Sequence, residues 1–457
     1  MSVQVLIIGG GLAGAEAAWQ AAEQGLDVTL AEMRPVSSTG AHQTDRLAEL
    51  VCSNSLGSSL PDRASGILLA ELRRLGSLLV RCAEQASVPA GGALAVDRAI
   101  FSELVTQQVA NHPRIRLERR EVRQIPLGWV VCATGPLTSP ALAEELRALT
   151  GEAYLYFYDA IAPIVDAETL DWTIVFRGSR FSRGESAEGD YLNCPMDEAE
   201  YAAFVDALQG AERTSLRPFE AEVRQGVRAG DREFFEGCLP IEVIAERGAQ
   251  SLAFGPLRPI GLRDPRTGKR PHAVVQLRQE DRARTMYNLV GFQTNLTAAE
   301  QQRVFRLIPG LGAARFLMLG QMHRNTFVNS PRVLLPTLQL RARSDLLLAG
   351  QLTGVEGYLG NVATGLLAGR NVARLAKGEQ AWELPAETML GALVQHVTSA
   401  DPRHFQPMKA NLGLLPALPA PAPRARKERA GLLAKRSAGQ MGRFLAADEA
   451  RTAHSHE

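Results

Sequence analysis

Five cysteines and one run of glycines are the residues of this chain best suited to chemistry. A deprotonated thiol is a strong nucleophile, so each cysteine is judged by its surroundings. Cys238 lies in Phe234-Phe235-Glu236-Gly237-Cys238-Leu239-Pro240-Ile241-Glu242. Glycine before it and proline two after imply a constrained turn that can present the thiol outward. Glu236 and Glu242 work against a thiolate unless a basic partner offsets them. Cys52 lies in Leu50-Val51-Cys52-Ser53-Asn54-Ser55, within a small and polar loop from Met33 to Ser59. Cys82 and Cys132 fall in a predicted helix and a predicted strand, where a thiol packs as a small apolar group. From the residues alone, a structural role is the simpler reading of Cys238, Cys52 and Cys194. The odd count and the lack of C-x-x-C spacing argue against a disulfide framework and a zinc site, and favour a reducing cytoplasm. His323-Arg324-Asn325 has no second histidine or carboxylate at ligand spacing, so no metal is expected.

The glycines offer backbone chemistry. Gly9-Gly10-Gly11-Leu12-Ala13-Gly14 follows the apolar run Val3 to Ile8 and precedes a helix-forming stretch, Ala15 to Ala22. Gly9, Gly11 and Gly14 fit G-x-G-x-x-G. The first permits a tight turn, the second lets a pyrophosphate approach the backbone, and the third lets helix and strand pack closely. The helix N-terminus adds N–H donors and a positive dipole end. A second strand, Val28 to Ala31, ends at Glu32, which lies 32 − 11 = 21 positions after Gly11, where a ribose-binding carboxylate belongs.

The elements that must position these groups follow in order. Residues 64–86 read as one amphipathic helix with Leu68, Leu69, Leu72 and Leu75 inward, and Asp97–Val109 as another. Leu117–Ile125 alternates like a strand. Trp129–Gly135 is a strand closing on Ala133-Thr134-Gly135, a turn found near the cofactor in two-dinucleotide flavoproteins. From about 151 aromatics cluster, strand-like pieces such as Trp172–Phe176 and Ala273–Leu277 appear, and 197–209 looks helical. Near 346 a buried strand returns, followed by Gly350, Gln351, Gly354, Val355, Glu356 and a small-residue helix. This second glycine closure suits FAD better than NAD, because two halves of the fold then meet over one long cofactor. The expected class is α/β, an FAD/NAD(P)-binding Rossmann-like domain with an inserted α+β substrate domain. The expected divisions are 1–150 and 335–415 for the FAD-binding parts, 151–334 for the insert, and 416–457 for a Pro/Ala linker with a basic, helical tail whose last residues, Thr452–Glu457, are disordered.

A net charge of +1 means that any polyanion must be held by a local patch. Residues 403–443 carry nine Lys/Arg against one acid, and 258–284 carry eight against three. The chain shows neither a signal-peptide pattern nor an apolar span of membrane length, so a cytoplasmic protein without membrane association is expected.

Longer blocks carry a resemblance. They include Thr39-Gly40-Ala41-His42, Leu47 to Leu56, Ala133 to Ser139, Asn193-Cys194-Pro195-Met196, Phe234 to Glu242, Asp264 to Lys269, Val274 to Gln279, Gly291 to Thr294, Met322 to Phe327 and Gly350 to Tyr358. In these blocks, and in their order along nearly the whole length, the chain resembles the folate- and FAD-dependent tRNA (uracil-C5-)-methyltransferase family, TrmFO. Two features depart from the family pattern. Tyr358-Leu359-Gly360-Asn361-Val362 stands where the family usually carries an acid and a serine, and 125–129 is a shorter connection. The resemblance implies methylation of uracil C5 at position 54 in the T arm of tRNA. The carbon would come from 5,10-methylenetetrahydrofolate, with FAD as carrier and reductant and NAD(P)H as its source of electrons. It implies Cys238 as the nucleophile at C6, Cys52 as a second catalytic thiol, and Tyr358 near flavin and substrate. Two alternatives stay open here: a wobble-uridine tRNA-modifying flavoprotein, and a flavin-bearing RNA-binding or redox module without methyl transfer.

Overall fold

The structure, a computed structural model, describes residues 3–37, 39, 41–152, 155–160, 162–182, 188–214, 227–228 and 239–454. Its main sheet has six strands in the order Gln339–Leu340, Arg343–Leu348, Val130–Cys132, Gln4–Ile8, Asp27–Glu32, Ile115–Arg119. All neighbours are parallel except the short edge pair Gln339–Leu340 with Arg343–Leu348. The first strand is apolar and β-branched, as a strand covered on both faces must be. Ile8 pairs with Ala31 and Cys132, and Cys132 with Leu348. Four strands therefore end level, and the turns that leave them open at one carboxyl edge, where a doubly wound sheet binds ligands.

Two helices meet against this sheet with almost no side chain between them. The helix Leu12–Glu23 is rich in alanine, and the helix Tyr358–Ala376 turns Gly365 and Gly369 toward it. A Cβ on Gly365 would stand 2.3 Å from the Ala13 carbonyl oxygen, and one on Gly369 would stand 2.4 Å from that of Ala17.

A second sheet, antiparallel throughout, runs Phe176–Gly178, Tyr191–Met196, Ala273–Gln279, Met286–Leu289, Ile164–Asp166, Phe316–Met318. It has its own core, containing Phe204, Phe292, Phe305 and Cys194. The helix Glu198–Gln209 packs there and begins in a reciprocal cap. Asp197 accepts from the Glu200 N–H, and Glu200 accepts from the Asp197 N–H, both at 2.8 Å. The chain passes between the two sheets along Leu155–Ala160 and returns along the antiparallel strand Met322–Phe327.

Several local readings change. The expected helix over 64–86 is two helices, Ala64–Arg74 and Leu78–Gln85, because Gly76 takes a φ of +73° and Ser77 then caps Val80 N–H. The strand expected over 117–125 ends at Arg119, although Val122 and Ile125 remain buried. The segment 172–175 is a turn held by the Asp171 carboxylate, which accepts from Thr173 N–H and Oγ1–H, and the strand starts at Phe176. The basic tail is helical from Arg426 to His454, so helix replaces expected disorder at 452–454, and 455–457 lie outside the described residues. This helix is docked rather than detached. Buried Glu71 accepts from Ser437 Oγ–H and from the N–H groups of Met389 (2.6 Å) and Leu390 (2.9 Å). Arg436 reaches back to the Pro416 and Ala417 carbonyls, folding the Pro/Ala segment onto the helix. Among the described residues no helix is long and apolar enough to cross a membrane.

The helix contact yields a paired test. Gly365→Ala forces the Cβ into the Ala13 backbone and is expected to lower stability by about 2–3 kcal/mol, as overpacking does. Gly431→Ala, at a helical site with open space around the added carbon, is expected to raise it by about 0.5–1 kcal/mol. Thermal or urea unfolding of the two variants checks both signs.

Candidate active site and dinucleotide cleft

The first cleft, about 1010 Å³, lies over the carboxyl edge of the main sheet. Gly9, with φ +100°, turns the chain against Ala133, and Gly14 packs on the Gly9 carbonyl so closely that a Cβ would stand 1.7 Å from it. A Cβ on Gly11, by contrast, meets no atom within 4 Å, although Gly11 lines the cleft with Leu12 and Ala13. That is the empty cradle a pyrophosphate requires at a helix N-terminus. Glu32 is buried at the end of its strand and accepts from Gly10 N–H (2.7 Å), Arg34 N–H (3.0 Å) and Arg34 Nε–H (2.8 Å). Burial works to raise its pKa, but the hydrogen bonds and charge of Arg34 outweigh burial and hold it below the ordinary carboxylate value. An ionised carboxylate has about four acceptor sites, so one remains for a sugar hydroxyl.

The second closure completes the cleft unevenly. Gly350, φ +75°, and Gln351 line it, and Gly350 N–H donates to Thr364 Oγ1 at 2.9 Å. Gln351 Nε2 donates to Glu356 Oε1 at 2.8 Å. Gly354 and Val355 turn away, Gly354 against Phe405 and Val355 into a cluster with Phe327, Leu393 and Phe405, so they shape the turn rather than the wall. Gly10 also stays off the wall, its N–H spent on Glu32.

A second cavity, about 1380 Å³, opens beside the first, and the two share Val51, Pro136, Leu137, Gln351, Tyr358 and Asn361. Asn361 Oδ1 is buried there without a protein hydrogen-bond partner. An open cradle at Gly11 and an unsatisfied amide oxygen on Asn361, both lining one cleft, fit a dinucleotide such as FAD. The second cavity holds half-buried Cys52, together with Glu356, Lys409, Gln293 and Asn325.

Tyr358, the first residue of its helix, crosses to the Cys52 loop. Its hydroxyl oxygen accepts from Cys52 N–H at 2.8 Å and Ser53 N–H at 3.2 Å. Burial pushes this phenol far above its ordinary pKa, and neighbouring Cys52 acts in the same direction, so it stays protonated. Behind the loop, Arg98 Nη1 donates to the Leu50 carbonyl (2.9 Å) and Nη2 to the Cys52 carbonyl (3.2 Å), while Nε and Nη2 grip Glu280 at 2.7 and 3.2 Å. Asn54 ties Val96 to Gln279 through its Nδ2 and accepts from Arg278 Nε at 2.7 Å. Arg98, Asn54, Arg278 and Glu280 are absent from the sequence-derived site. Asn54 and Arg278 stand within the resembling blocks, but no spacing rule marks a half-buried arginine that holds a loop.

The other thiols divide cleanly. Burial pushes Cys82 and Cys132 up to about 11, and Cys194 is driven higher still by the same cause, so all three stay protonated core groups. Cys238 lies outside the described residues. Three residues on, Ile241 N–H donates to the Gln293 carbonyl at 2.7 Å, and Gln293 lines the Cys52 cavity.

Comparison with known proteins agrees with this geometry. Residues 4–380 match the family model of glucose inhibited division protein A, GIDA. A methylenetetrahydrofolate--tRNA-(uracil-5-)-methyltransferase TrmFO of Synechococcus sp. (strain JA-3-3Ab) is 59% identical over 93% of this chain and 91% of its own. The TrmFO of Enterococcus faecalis is 53% identical over 96% of this chain and 97% of its own. Among solved structures, Aquifex aeolicus GidA in its form II crystal superposes with a TM-score of 0.67 at 17% identity, covering 98% of this chain and 76% of that one. That likeness bears on the fold, which is the FAD-binding Rossmann-like fold expected from the glycines. By the extent and identity of these matches, the chain belongs to the TrmFO family of methylenetetrahydrofolate--tRNA-(uracil-5-)-methyltransferases.

Proposed function

We propose that this protein methylates C5 of uridine 54 in the T arm of tRNA, using 5,10-methylenetetrahydrofolate as carbon donor and NAD(P)H as reductant. The observation that carries the reading is the junction of the dinucleotide cleft with a thiol-bearing cavity through Tyr358 and Asn361. Relatives 53–59% identical over more than nine-tenths of this chain are named methylenetetrahydrofolate--tRNA-(uracil-5-)-methyltransferases, which supports the folate donor and the uracil C5 target. The relatives' names do not favour wobble-uridine modification or a flavin module without methyl transfer. A cytoplasmic site suits the reaction, because its thiols must stay reduced.

Gly11, Leu12 and Ala13 would hold the pyrophosphate of FAD, Glu32 a ribose hydroxyl, and Gly350, Gln351 and Asn361 the flavin end. Bound there, FAD would supply the one-carbon carrier and the reducing electrons that the reaction needs. The residues of this chain supply the rest. Uracil C5 is too weak a nucleophile alone, so the Cys238 thiolate adds at C6 and pushes electron density onto C5. C5 then takes the carbon unit and must lose its proton. Cys52 is the base for that proton, and elimination of Cys238 restores the ring. Tyr358 uses both oxygen lone pairs on the Cys52 and Ser53 N–H groups, which leaves its own proton to donate into the cavity.

Three outcomes test this reading. Gly11→Val adds a side chain into open space, so the variant is expected to fold yet purify colourless because the pyrophosphate is excluded. A folded, fully yellow protein refutes the placement. Cys238→Ala is expected to keep flavin and its reduction by NAD(P)H, to transfer no methyl group, and to form no covalent adduct with tRNA containing 5-fluorouracil. Cys52→Ala also loses turnover but keeps the adduct. An adduct that survives in Cys238→Ala and vanishes in Cys52→Ala reverses the two roles.

The third outcome concerns tRNA. Arg426, Lys427 and Arg429 are exposed on the docked C-terminal helix. Reversing all three charges is expected to weaken tRNA binding and to flatten the slope of log affinity against log salt by about 2, leaving NAD(P)H oxidation intact. Unchanged affinity in a filter-binding titration assigns the patch to solvent.

A further inference from the structure

The Cys52 peptide is held from both sides. Its N–H is spent on Tyr358 and its carbonyl on Arg98. Arg98 opens a helix capped by Asp97, whose Oδ1 accepts from Ala99 and Ile100 N–H. The other carboxylate oxygen of Asp97 accepts from Arg282 N–H at 3.0 Å, across the boundary with the second sheet. Glu280, which holds Arg98, directly follows the strand Ala273–Gln279 of that sheet and is only 2% exposed. Asn54, two residues after the thiol, donates to the Gln279 carbonyl of the same strand. The second sheet thus reaches the Cys52 loop through the short segment 278–282, and one route runs from Glu280 through Arg98 to the Cys52 carbonyl.

We propose that Arg98 is a positioning residue for Cys52, held in place by Glu280, so that seating of the second sheet sets where the thiol stands in the cavity. This deepens the methyltransferase reading and rests on it for the role of Cys52. A guanidinium is suited to the task because its planar fork serves two carbonyls and a bidentate carboxylate at once. A lysine keeps the charge but offers one nitrogen in place of three. Arg98→Lys therefore separates geometry from charge. Glu280→Gln keeps the shape and removes the charge that anchors the fork, whereas Glu280→Asp keeps the charge and shortens the reach.

The test uses the full-length, flavin-loaded protein, with all rates normalised to bound flavin. Alkylation of Cys52 by iodoacetamide is followed by peptide mass spectrometry, beside kcat and KM for methylation of a tRNA transcript. Arg98→Lys and Glu280→Gln are expected to change the Cys52 alkylation rate and lower kcat by about fivefold or more, with KM for tRNA and the flavin spectrum little altered. A misplaced reacting group produces losses of that order or larger. Glu280→Asp is expected to recover part of both. Smaller changes in the alkylation rate of both Arg98→Lys and Glu280→Gln overturn the proposal, as does a fall in kcat matched by an equal rise in KM. If Arg98→Lys does not fold, the Glu280 pair decides by the same threshold. An altered alkylation rate with kcat intact upholds the positioning by Arg98 and instead refutes the catalytic reading of Cys52.

Discussion

The whole active face depends on the backbone contact between the helices Leu12–Glu23 and Tyr358–Ala376. Gly365 sits over Ala13 and Gly369 over Ala17 at distances that admit no Cβ. Ordinary side chains at those positions would hold the helices at the usual separation of about 8–10 Å or wider. The first helix starts directly after one glycine turn, and the other turn, at Gly350, stands so close to the first helix that a Cβ there would be 2.8 Å from Ala13 Cβ. Gly14 on the Gly9 carbonyl fixes the same helix against the sheet in the second direction. Small residues thus serve here as rulers, and the gain is dispersion contact between backbones rather than burial of large side chains.

The thiol cavity is built on the opposite principle. Where the cleft is set by absent side chains, the Cys52 loop is set by charged and polar ones that have been taken out of water. Holding half-buried Arg98 against buried Glu280 is favourable only because the two charges satisfy each other and two further guanidinium N–H bonds reach the Leu50 and Cys52 carbonyls. In a low-dielectric surrounding such a network has few alternative arrangements, which gives the loop a defined place without regular secondary structure. Tyr358 joins the two schemes. It begins the helix that the glycines position, and its hydroxyl ends on the loop that the arginine holds.

The C-terminal helix illustrates a third use of buried polarity. Glu71 caps the start of the helix Met389–Ser399 and also takes the Ser437 hydroxyl, so one carboxylate fixes two later segments. Trp382 and Phe444, the latter on the C-terminal helix, pack edge to face. A segment whose composition reads as a spacer and a basic arm is therefore part of the body of the protein, with its basic residues Arg426, Lys427 and Arg429 left on the outside.

What the sequence by itself determined is the part whose causes are local. Strand, glycine turn, helix and acid follow one another within the first 32 residues, and each glycine answers a steric demand of its immediate neighbours, so spacing alone identifies the dinucleotide fold. The buried cores of Cys82 and Cys132 were legible for the same reason, from the periodicity around them. The break at Gly76 and the turn at 172–175 were not, because apolar periodicity continues across both while a positive φ and an Asp171 cap interrupt the backbone. The working site was least legible of all. Cys52 meets a tyrosine 306 positions away, and Asn54 meets an arginine 224 positions away. Only tertiary structure decides such pairings, because a hydrogen bond between distant segments depends on how two sheets are seated and leaves no period or spacing in the chain.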